Sequence, residues 1–239
     1  MTYTPTTQKL LDHLPALAGM VRRVAVTAGD AIMEYFDEAG FQGTVDFKGD
    51  NSPVTIADTI ADDIIRAGLM DIARDIPVVT EETAHLVDHA ALNATPHYWL
   101  VDGLDGTKAF RKGDPDFTVN IALIHHTTPV LGVIYAPALG DGYIGIVTDT
   151  PRAYKWNDDD MRDIDITVRH IPKNGLTLLT STTQMHSREA THLMESIKLN
   201  KHIKRHSSIK FCEIATGRAD VMIAARDIYF WDTAAGDAI

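Results

Sequence analysis

The sequence predicts a mixed α+β protein in which helices come first, antiparallel strands follow, and a smaller alternating α/β unit closes the chain. Three observations predict this class: helical periodicity in the first third, strand-like alternation in the middle, and alternating strand and helix patterns towards the end. We therefore expect two domains. The first is an α+β domain over residues 1–171 with an antiparallel sheet and most of the functional carboxylates, and the second is an α/β domain over residues 172–239.

Two amphipathic helices open the chain. Apolar residues recur at three- and four-residue intervals from Pro15 to Phe36 and again from about Ile56 to Ala73, which is the pattern of a helix with one buried face. A strand-like run over residues 44–47 and a polar turn over residues 48–53 separate the helices. The turn is suited to start the second helix.

Strand patterns dominate the middle of the chain. Residues 76–80 form a short apolar run that begins beside a proline, and residues 98–101 form another. The later runs are separated by short polar turns, which indicates antiparallel neighbours. They cover residues 117–124, 129–135, 143–147, 152–156 and 164–168. The α/β unit that follows reads as strand 176–181, helix 187–199, strand 202–206, helix 209–217 and strand 220–224.

Composition limits the possible functions. The chain has 239 residues, 45% of them hydrophobic, and a formal net charge of −11, so it can bury a core and should repel nucleic acid polymers. Its one cysteine, Cys212, excludes an intramolecular disulfide and fits a reducing compartment. The sequence shows neither a signal peptide nor an apolar run of membrane length, which predicts a cytoplasmic protein without stable membrane insertion.

Acidic residues follow several apolar runs. The segment Asp102-Gly-Leu-Asp-Gly-Thr107 places two carboxylates three residues apart in a glycine turn, followed by a hydroxyl. Alone, this pattern is typical of an acidic surface turn. However, Glu81 and Glu82 end another apolar run, and Asp232 follows an aromatic run at a position suited to cap a helix. Converging carboxylates repel one another unless a cation lies between them, and oxygen ligands suit magnesium. The pattern therefore predicts a magnesium site that acts on phosphates.

These motifs also identify a family. The segments Asp102-Gly-Leu-Asp-Gly-Thr107 and Trp231-Asp-Thr-Ala-Ala-Gly236 resemble the Asp-Pro-x-Asp-Gly-Thr and Trp-Asp-x-Ala-Ala-Gly motifs of the inositol monophosphatase superfamily, the lithium-sensitive, magnesium-dependent phosphatases. The pair Glu81 and Glu82 and residues 52–58 lie in the expected places before them. The resemblance implies a layered α-β-α-β-α sandwich of the inositol monophosphatase/fructose-1,6-bisphosphatase type. Segments 105–110, 117–124, 132–137 and 207–212 are most similar to the bacterial 3'(2'),5'-bisphosphate nucleotidases.

The resemblance also assigns site residues. It implies that two or three Mg²⁺ ions are held by the side chains or carbonyls of five residues: Glu81, Asp102, Leu104, Asp105 and Asp232. The implied catalytic residues are Asp58, Thr107 and Glu82, with Thr107 bonded to Asp58 so that the pair orients and helps to deprotonate a water. The implied substrate-binding residues are Gly106, Thr107, Ser181 and Lys210, the first two through backbone N–H groups that face the phosphate.

Three departures from the family pattern are visible. Gly103 replaces the usual proline, which is expected to free a turn at a loss of about 0.4–1 kcal/mol of stability. Residues 181–184 read Ser-Thr-Thr-Gln and lack an arginine that could grip a second phosphate, leaving Arg188 or Lys210 as substitutes. The chain ends at Ile239, earlier than its relatives, so we expect a truncated smaller domain that either self-associates as a homodimer or holds Asp232 loosely.

Three functions remain open from the sequence. The leading one is a hydrolase of sulfur metabolism that acts on a small phosphorylated substrate and converts adenosine 3',5'-bisphosphate to AMP and phosphate. The alternatives are an inositol-phosphate or sugar-phosphate phosphatase with the same mechanism, and a degenerate, non-catalytic protein that binds metal or phosphate. The pair His125 and His126 is interpreted as a surface turn rather than as zinc ligands. The basic residues 201–206 are either a solvated face or an aid to substrate attraction.

Overall fold

The computed structural model describes residues 3–47, 53–181, 192, 194–224 and 228–239. The chain begins with helices α1 (Pro5–Leu11) and α2 (Leu14–Met33). The side chain of Thr4 caps α1 by accepting the Thr7 N–H, which satisfies one of the free donors at a helix start. The predicted helix over residues 15–36 is confirmed, although α2 ends three residues early.

A short hairpin leads into the second predicted helix. Strands β1 (Val45–Phe47) and β2 (Pro53–Thr55) pair antiparallel, and helix α3 (Ile56–Ile72) follows at once. The polar turn predicted at residues 48–53 lies almost entirely outside the described residues. Helix α3 buries residues spaced three and four apart, including Ala57, Ala61, Ile65 and Leu69, as the sequence periodicity predicted.

A seven-stranded sheet forms the centre of the molecule. Its strand order follows the chain from β3 to β9, with β3 parallel to β4 and all later neighbours antiparallel. The strands are β3 (Val78–Thr80), β4 (His97–Asp105), β5 (Thr118–His125), β6 (Thr128–Ala136), β7 (Asp141–Ile146), β8 (Arg152–Asn157) and β9 (Ile164–Asp165). Short helix α4 (His89–Asn93) precedes β4, and α5 (Thr107–Phe110) follows it. The predicted antiparallel strands are confirmed, and only the last is shorter than expected.

A second sheet of three parallel strands follows. Strand β10 (Leu176–Thr180) lies between β11 (Leu199–Lys204) and β12 (Val221–Ile223). Strand β11 begins earlier than predicted because its pairing with β10 already starts at Leu199. Helix α6 (Ile209–Ala215) connects β11 to β12. Of the helix predicted over residues 187–199, residues 192 and 194–196 are helical, whereas Leu199 already belongs to β11, and residues 187–191 and 193 lie outside the described residues.

Helix layers cover both faces of the large sheet. Helices α2 and α3 pack together on one face, where their apolar residues join one hydrophobic core with the sheet. Helix α7 (Phe230–Ala238) packs on the other face against β4, β5 and β6, and α6 lies beside it. Glycine is required at Gly132 in β6, because a Cβ there would overlap the carbonyl oxygen of Ala235. The layered mixed α/β class is confirmed.

The position of α7 bears on the two-domain prediction. Sequence periodicity assigned residues 172–239 to the smaller unit, but α7 contacts the large sheet. Its residues Ala234 and Ala235 belong to the same apolar cluster as Leu100 and Ala122 of that sheet. Cys212 of α6 is fully buried in this cluster, as expected for a small core residue. None of the helices in the described part of the chain combines the length and apolarity that a membrane crossing requires.

Candidate metal centre and active site

Three carboxylates converge where β4 ends and α7 begins. Asp102, Asp105 and Asp232 each offer one oxygen atom, and these three atoms lie within 4.8 Å of one another. Asp102 is only 2% exposed, and the other two are partly buried. The sequence predicted that these three residues meet, and the structure brings them together.

A β-bulge directs the two strand carboxylates to the same side. Residues three apart on a regular strand point to opposite faces. Here Asp102 pairs with Asn120 and Asp105 pairs with Thr118, so two residues of β4 lie opposite one residue of β5. The extra residue turns the Asp105 side chain back to the same face of the sheet as the Asp102 side chain. The Leu104 N–H, within the bulge, donates a hydrogen bond of 3.0 Å to Asp102 Oδ1.

The electrostatics of this cluster favour a cation. Burial raises the pKa of Asp102 well above its usual range, and the charges of Glu81, Asp105 and Asp232 raise it further. A buried carboxyl among other carboxylates is stable in its ionised form only when positive charge compensates it. The donors are all carboxylate oxygens, the ligands that hard divalent cations prefer. The residues present therefore fit a metal ion.

Two further predicted ligands flank the three aspartates. Glu81 follows β3, where its N–H donates a hydrogen bond of 3.0 Å to the carbonyl of Val101. Its charge acts on Asp102, but its carboxylate is not part of the group whose oxygens lie within 4.8 Å. The Leu104 carbonyl lies beside the cluster and accepts a hydrogen bond of 3.2 Å from the Thr107 hydroxyl.

Two serines that the sequence reasoning did not assign hold Asp105 in place. Its Oδ2 atom accepts hydrogen bonds from the Ser207 hydroxyl at 2.8 Å, the Ser208 N–H at 2.7 Å and the Ser208 hydroxyl at 2.8 Å. Oδ1 is then the oxygen available to a cation. The Ser208 hydroxyl also lies 2.9 Å from the carbonyl oxygen of Asp232. It accepts a hydrogen bond of 2.9 Å from the side-chain amide of Asn120. In the sequence, the only signal for these two serines was their position in segment 207–212, one of the segments that resemble the bisphosphate nucleotidases.

Asp232 occupies the first turn of α7. The helix begins at Phe230, so Asp232 is its third residue rather than the capping residue that the sequence suggested. The carboxylate reaches back and accepts the Tyr229 N–H at 3.0 Å. It therefore caps the helix from within, which is favourable at the positive end of the helix dipole.

The hydroxyl of Thr107 and the carboxylate of Asp58 lie together beside the three converging aspartates. Thr107 Oγ1 donates to Asp58 Oδ1 at 3.0 Å. Asp58 Oδ2 accepts both the N–H and the hydroxyl of Thr55 at 2.6 Å. Burial raises the pKa of Asp58, the hydrogen bonds from Thr55 and Thr107 oppose this rise, and the charge of Glu82 adds to it. Asp58 is thus a firmly held carboxylate of increased basicity.

Gly106 starts the short helix α5. Its φ angle of +94° is in the left-handed region, and a Cβ there would lie 2.9 Å from the Asp116 carbonyl oxygen. Glycine is therefore required between Asp105 and Thr107. This conformation turns the chain immediately after Asp105.

The two other predicted substrate residues lie in the small unit. Lys210 in α6 is only 8% exposed, and its ammonium group donates a hydrogen bond of 2.6 Å to the Ser207 carbonyl. Ser181 follows β10 and is partly buried. Residues 182–184 and Arg188 lie outside the described residues. In the basic segment 201–206, Arg205 forms an ion pair of 2.8 Å with the buried Asp116, so this segment is not simply a solvated face.

The interpretation of Gly103 as a freed turn is wrong. Gly103 lies within β4, against the first turns of α3. A Cβ at this position would lie 3.2 Å from the Asp62 nitrogen and 3.4 Å from the Ala61 Cβ. Tight helix-to-strand packing, rather than turn flexibility, is the structural consequence of glycine here.

Comparison with known proteins identifies the family. The sequence model described as the inositol monophosphatase family matches residues 15–239. The chain belongs to this family. Among solved structures, a CysQ described as a bacterial member of the inositol monophosphatase family, from Bacteroides thetaiotaomicron, superposes with a TM-score of 0.77 at 30% identity. The match covers 95% of this chain and 86% of that one.

Curated relatives show which members of the inositol monophosphatase family this chain resembles. A 3'(2'),5'-bisphosphate nucleotidase CysQ from Buchnera aphidicola is 36% identical over 97% of this chain and 81% of its own length. The corresponding Salmonella typhimurium protein is 38% identical over 92% of this chain and 85% of its own length. The SuhB protein of Bartonella henselae, at 23% identity and a TM-score of 0.73, supports the fold alone.

Proposed function

We propose that this protein is a magnesium-dependent phosphomonoester hydrolase and that its substrate is a 3'(2'),5'-bisphosphate nucleotide, with adenosine 3',5'-bisphosphate converted to AMP and phosphate. The observation that carries the proposal is the Thr107–Asp58 hydrogen bond directly beside the three converging aspartates. The substrate assignment is supported by relatives named as bisphosphate nucleotidases, which are 36–38% identical over most of this chain.

The metal-binding part of the proposal uses the carboxylates at the end of β4. Asp102, Asp105 and Asp232 would hold Mg²⁺, with Glu81 and the Leu104 carbonyl as additional ligands. When bound, such ions neutralise phosphate oxygens and acidify a water molecule. The serine hydrogen bonds to Asp105 Oδ2 orient its other oxygen before any ion binds, and such preorganisation strengthens metal binding.

The proton-transfer part uses Thr107 and Asp58. The Thr107 hydroxyl can accept a proton from the attacking water only if it gives its own proton to another group, because a threonine alone is a very weak base. Asp58 Oδ1 accepts a hydrogen bond from that hydroxyl, and burial raises the pKa of the Asp58 carboxyl. In the proposed reaction the proton passes from water to Thr107 Oγ1 and from Thr107 to Asp58, while the water oxygen attacks phosphorus. The bond between phosphorus and the 3'-oxygen breaks, and this oxygen leaves with AMP and takes up a proton from solvent. The negative charge of Glu82 also raises the pKa of Asp58, which makes Asp58 a stronger base.

Phosphate release from a small substrate panel tests this function. We expect magnesium-dependent release from adenosine 3',5'-bisphosphate with a higher kcat/KM than from inositol 1-phosphate or fructose 1,6-bisphosphate. The matched control is Asp105→Asn, which keeps the shape of the side chain but removes the charge that holds a hard cation. A higher kcat/KM for inositol 1-phosphate would contradict the assignment of a bisphosphate nucleotide as substrate. Turnover without magnesium would contradict the proposed mechanism.

A further inference from the structure

The turn between β11 and α6 has a backbone conformation that its residues do not favour. Ser207 has a φ angle of +56°, in the left-handed region where a Cβ crowds the backbone. A non-glycine residue keeps such a conformation only where the surrounding structure imposes it. In this conformation the Ser207 hydroxyl and the Ser208 N–H donate to Asp105 Oδ2 at 2.8 and 2.7 Å. The geometry of Asp105 therefore depends on what holds the turn.

Asp116, which lies shortly before β5, holds the start of this turn. Its side chain is 6% exposed. Its Oδ2 atom accepts a hydrogen bond of 3.0 Å from the backbone N–H of His206, and its Oδ1 atom accepts one of 2.8 Å from the guanidinium of Arg205. The two donors belong to consecutive residues. One buried carboxylate thus fixes both a side chain and the backbone immediately before Ser207.

Close packing connects Asp116, the turn and the chain beside Asp105. The Thr118 hydroxyl in β5 lies 2.6 Å from the Ser207 hydroxyl. Gly106 directly follows Asp105 and lies between the other two segments. At Gly106, a Cβ would lie 2.9 Å from the Asp116 carbonyl oxygen and 3.2 Å from the Ser207 Cβ. A displacement of the turn would therefore change the surroundings of Asp105.

We infer that Asp116 is a positioning residue for the proposed metal site: it stabilises the turn at Ser207, so that the donors of the turn orient Asp105 before an ion binds. This inference rests on the proposed role of Asp105 as a metal ligand. It deepens that role, because it assigns the preorganisation of Asp105 to a carboxylate from another part of the chain. Groups that orient the partners of a metal ligand strengthen metal binding.

The substitution Asp116→Asn disturbs this arrangement with little change in shape. An amide has one acceptor oxygen, so it can accept from either His206 or Arg205, and its NH2 group then faces the other donor. We expect Mg²⁺ affinity to fall about tenfold, because removing an outer group around a metal site usually costs 10- to 100-fold. At saturating Mg²⁺, kcat should stay within about twofold of the wild-type value, because the proposed ligands and the proton-transfer pair are unchanged.

The matched control is Asp220→Asn. Asp220 forms an ion pair with Arg169 that resembles the pair of Asp116 and Arg205: the aspartate side chains are 7% and 6% exposed, and the arginine side chains are 36% and 34% exposed. Asp220 also accepts a backbone N–H, that of Thr177 in β10, at 2.6 Å. The two substitutions therefore remove comparable interactions. We expect both variants to melt at a lower temperature, but only Asp116→Asn to bind Mg²⁺ more weakly.

Three measurements on the full-length chain test the inference. Hydrogen–deuterium exchange of the metal-free protein reports the turn directly, and residues 205–208 should exchange faster in Asp116→Asn than in the wild type or in Asp220→Asn. Calorimetric titration with Mg²⁺ at low and high salt should show the tenfold loss at both, because salt screens an effect of charge but not one of geometry. The Mg²⁺ concentration for half-maximal turnover should rise by the same factor.

A second variant covers the case in which Asp116→Asn does not fold. Arg205→Lys keeps the positive charge but replaces the planar guanidinium that pairs with Asp116. We expect faster exchange of the turn and weaker Mg²⁺ binding in this variant as well, with a smaller loss than in Asp116→Asn. Wild-type exchange and Mg²⁺ affinity in Arg205→Lys would then contradict the inference.

The remaining outcomes separate the possible roles of Asp116. Wild-type Mg²⁺ affinity in Asp116→Asn overturns the inference and leaves the proposed function intact. An equal loss of affinity in Asp220→Asn would show a general effect of destabilisation. A loss that disappears at high salt would assign the effect to charge, and a loss without faster exchange would show that Asp116 does not act through the turn; each overturns the inference. A wild-type protein that binds no Mg²⁺ overturns the proposed function itself.

Discussion

The hydroxyl of Ser208 is the most informative single perturbation of the metal centre. Ser208→Ala removes one of three hydrogen bonds to Asp105 Oδ2 and the contact to the Asp232 carbonyl. It also removes the acceptor of the Asn120 amide, which is 1% exposed. The substitution therefore loosens a proposed metal ligand, Asp105, and leaves the buried Asn120 amide without its acceptor. The Ser208 N–H still binds Asp105, so the ligand is weakened but not released.

The expected magnitude follows from these contacts. A hydrogen bond to an ionised carboxylate contributes about 1.5–3 kcal/mol, and an unsatisfied buried amide costs about 1–3 kcal/mol. Allowing for relaxation, we expect a loss of ~3 kcal/mol in the metal-free protein, which corresponds to a fall in melting temperature of roughly 6–12 °C for a chain of this size. Mg²⁺ affinity should fall about 10- to 100-fold, the usual effect of removing a group that orients a metal ligand.

Two measurements separate these effects. Thermal melting of the metal-free protein reports the folding loss, and calorimetric titration with Mg²⁺ reports the ligand loss. Ser207→Ala is the matched control, because it also removes one hydrogen bond to Asp105 Oδ2 but leaves the Asn120 amide satisfied. We expect it to weaken Mg²⁺ binding with a smaller fall in melting temperature. If Ser208→Ala melts lower but binds Mg²⁺ like the wild type, the positioning argument is refuted.

Four further outcomes follow from the structure. Asp105→Asn should abolish magnesium-dependent turnover and leave the circular dichroism spectrum unchanged; wild-type turnover would remove Asp105 from the ligand set. Thr107→Ala should lower kcat with little change in Mg²⁺ affinity, and an effect on affinity alone would contradict its role. Burial and two neighbouring histidines lower the pKa of His97 from 6.5 to about 4, so the unfolded chain binds more protons between these values. Stability should then fall by ~1 kcal/mol, after allowing for partial exposure, as pH drops from 6.5 to 4, and His97→Asn should flatten that slope in melting curves. Gly132→Ala should destabilise by about 1–3 kcal/mol, because its Cβ would overlap the backbone of α7; an unchanged melting temperature would contradict that packing.

Local structure was predictable because it depends on short-range patterns. Helices α2 and α3 and the strands of the large sheet follow from apolar periodicity, which records the face that each element buries. The boundaries shifted by a few residues where pairing with a neighbour, as between Leu176 and Leu199, set the ends. Family membership was also predictable, because the two acidic motifs are short and specific, and the match over residues 15–239 confirms it.

The placement of α7 was not predictable in the same way. Its sequence is rich in small residues and forms a helix, as expected. However, sequence order alone placed it in the smaller unit, whereas it packs on the large sheet through close backbone contacts at Gly132 and Gly145. Which sheet a helix covers depends on surface complementarity between distant segments, and local periodicity carries no information about that.

The sequence by itself determined which chemical groups the site contains: the aspartates that offer oxygen ligands, the threonine hydroxyl, and the glycine that a left-handed turn requires at position 106. Only the tertiary structure decided where these groups point. The bulge in β4 turns Asp105 to the side of Asp102, and two serines from the turn between β11 and α6 hold it there. The physical reason is that side-chain direction depends on strand register and on hydrogen bonds between distant segments, which arise only when the chain folds.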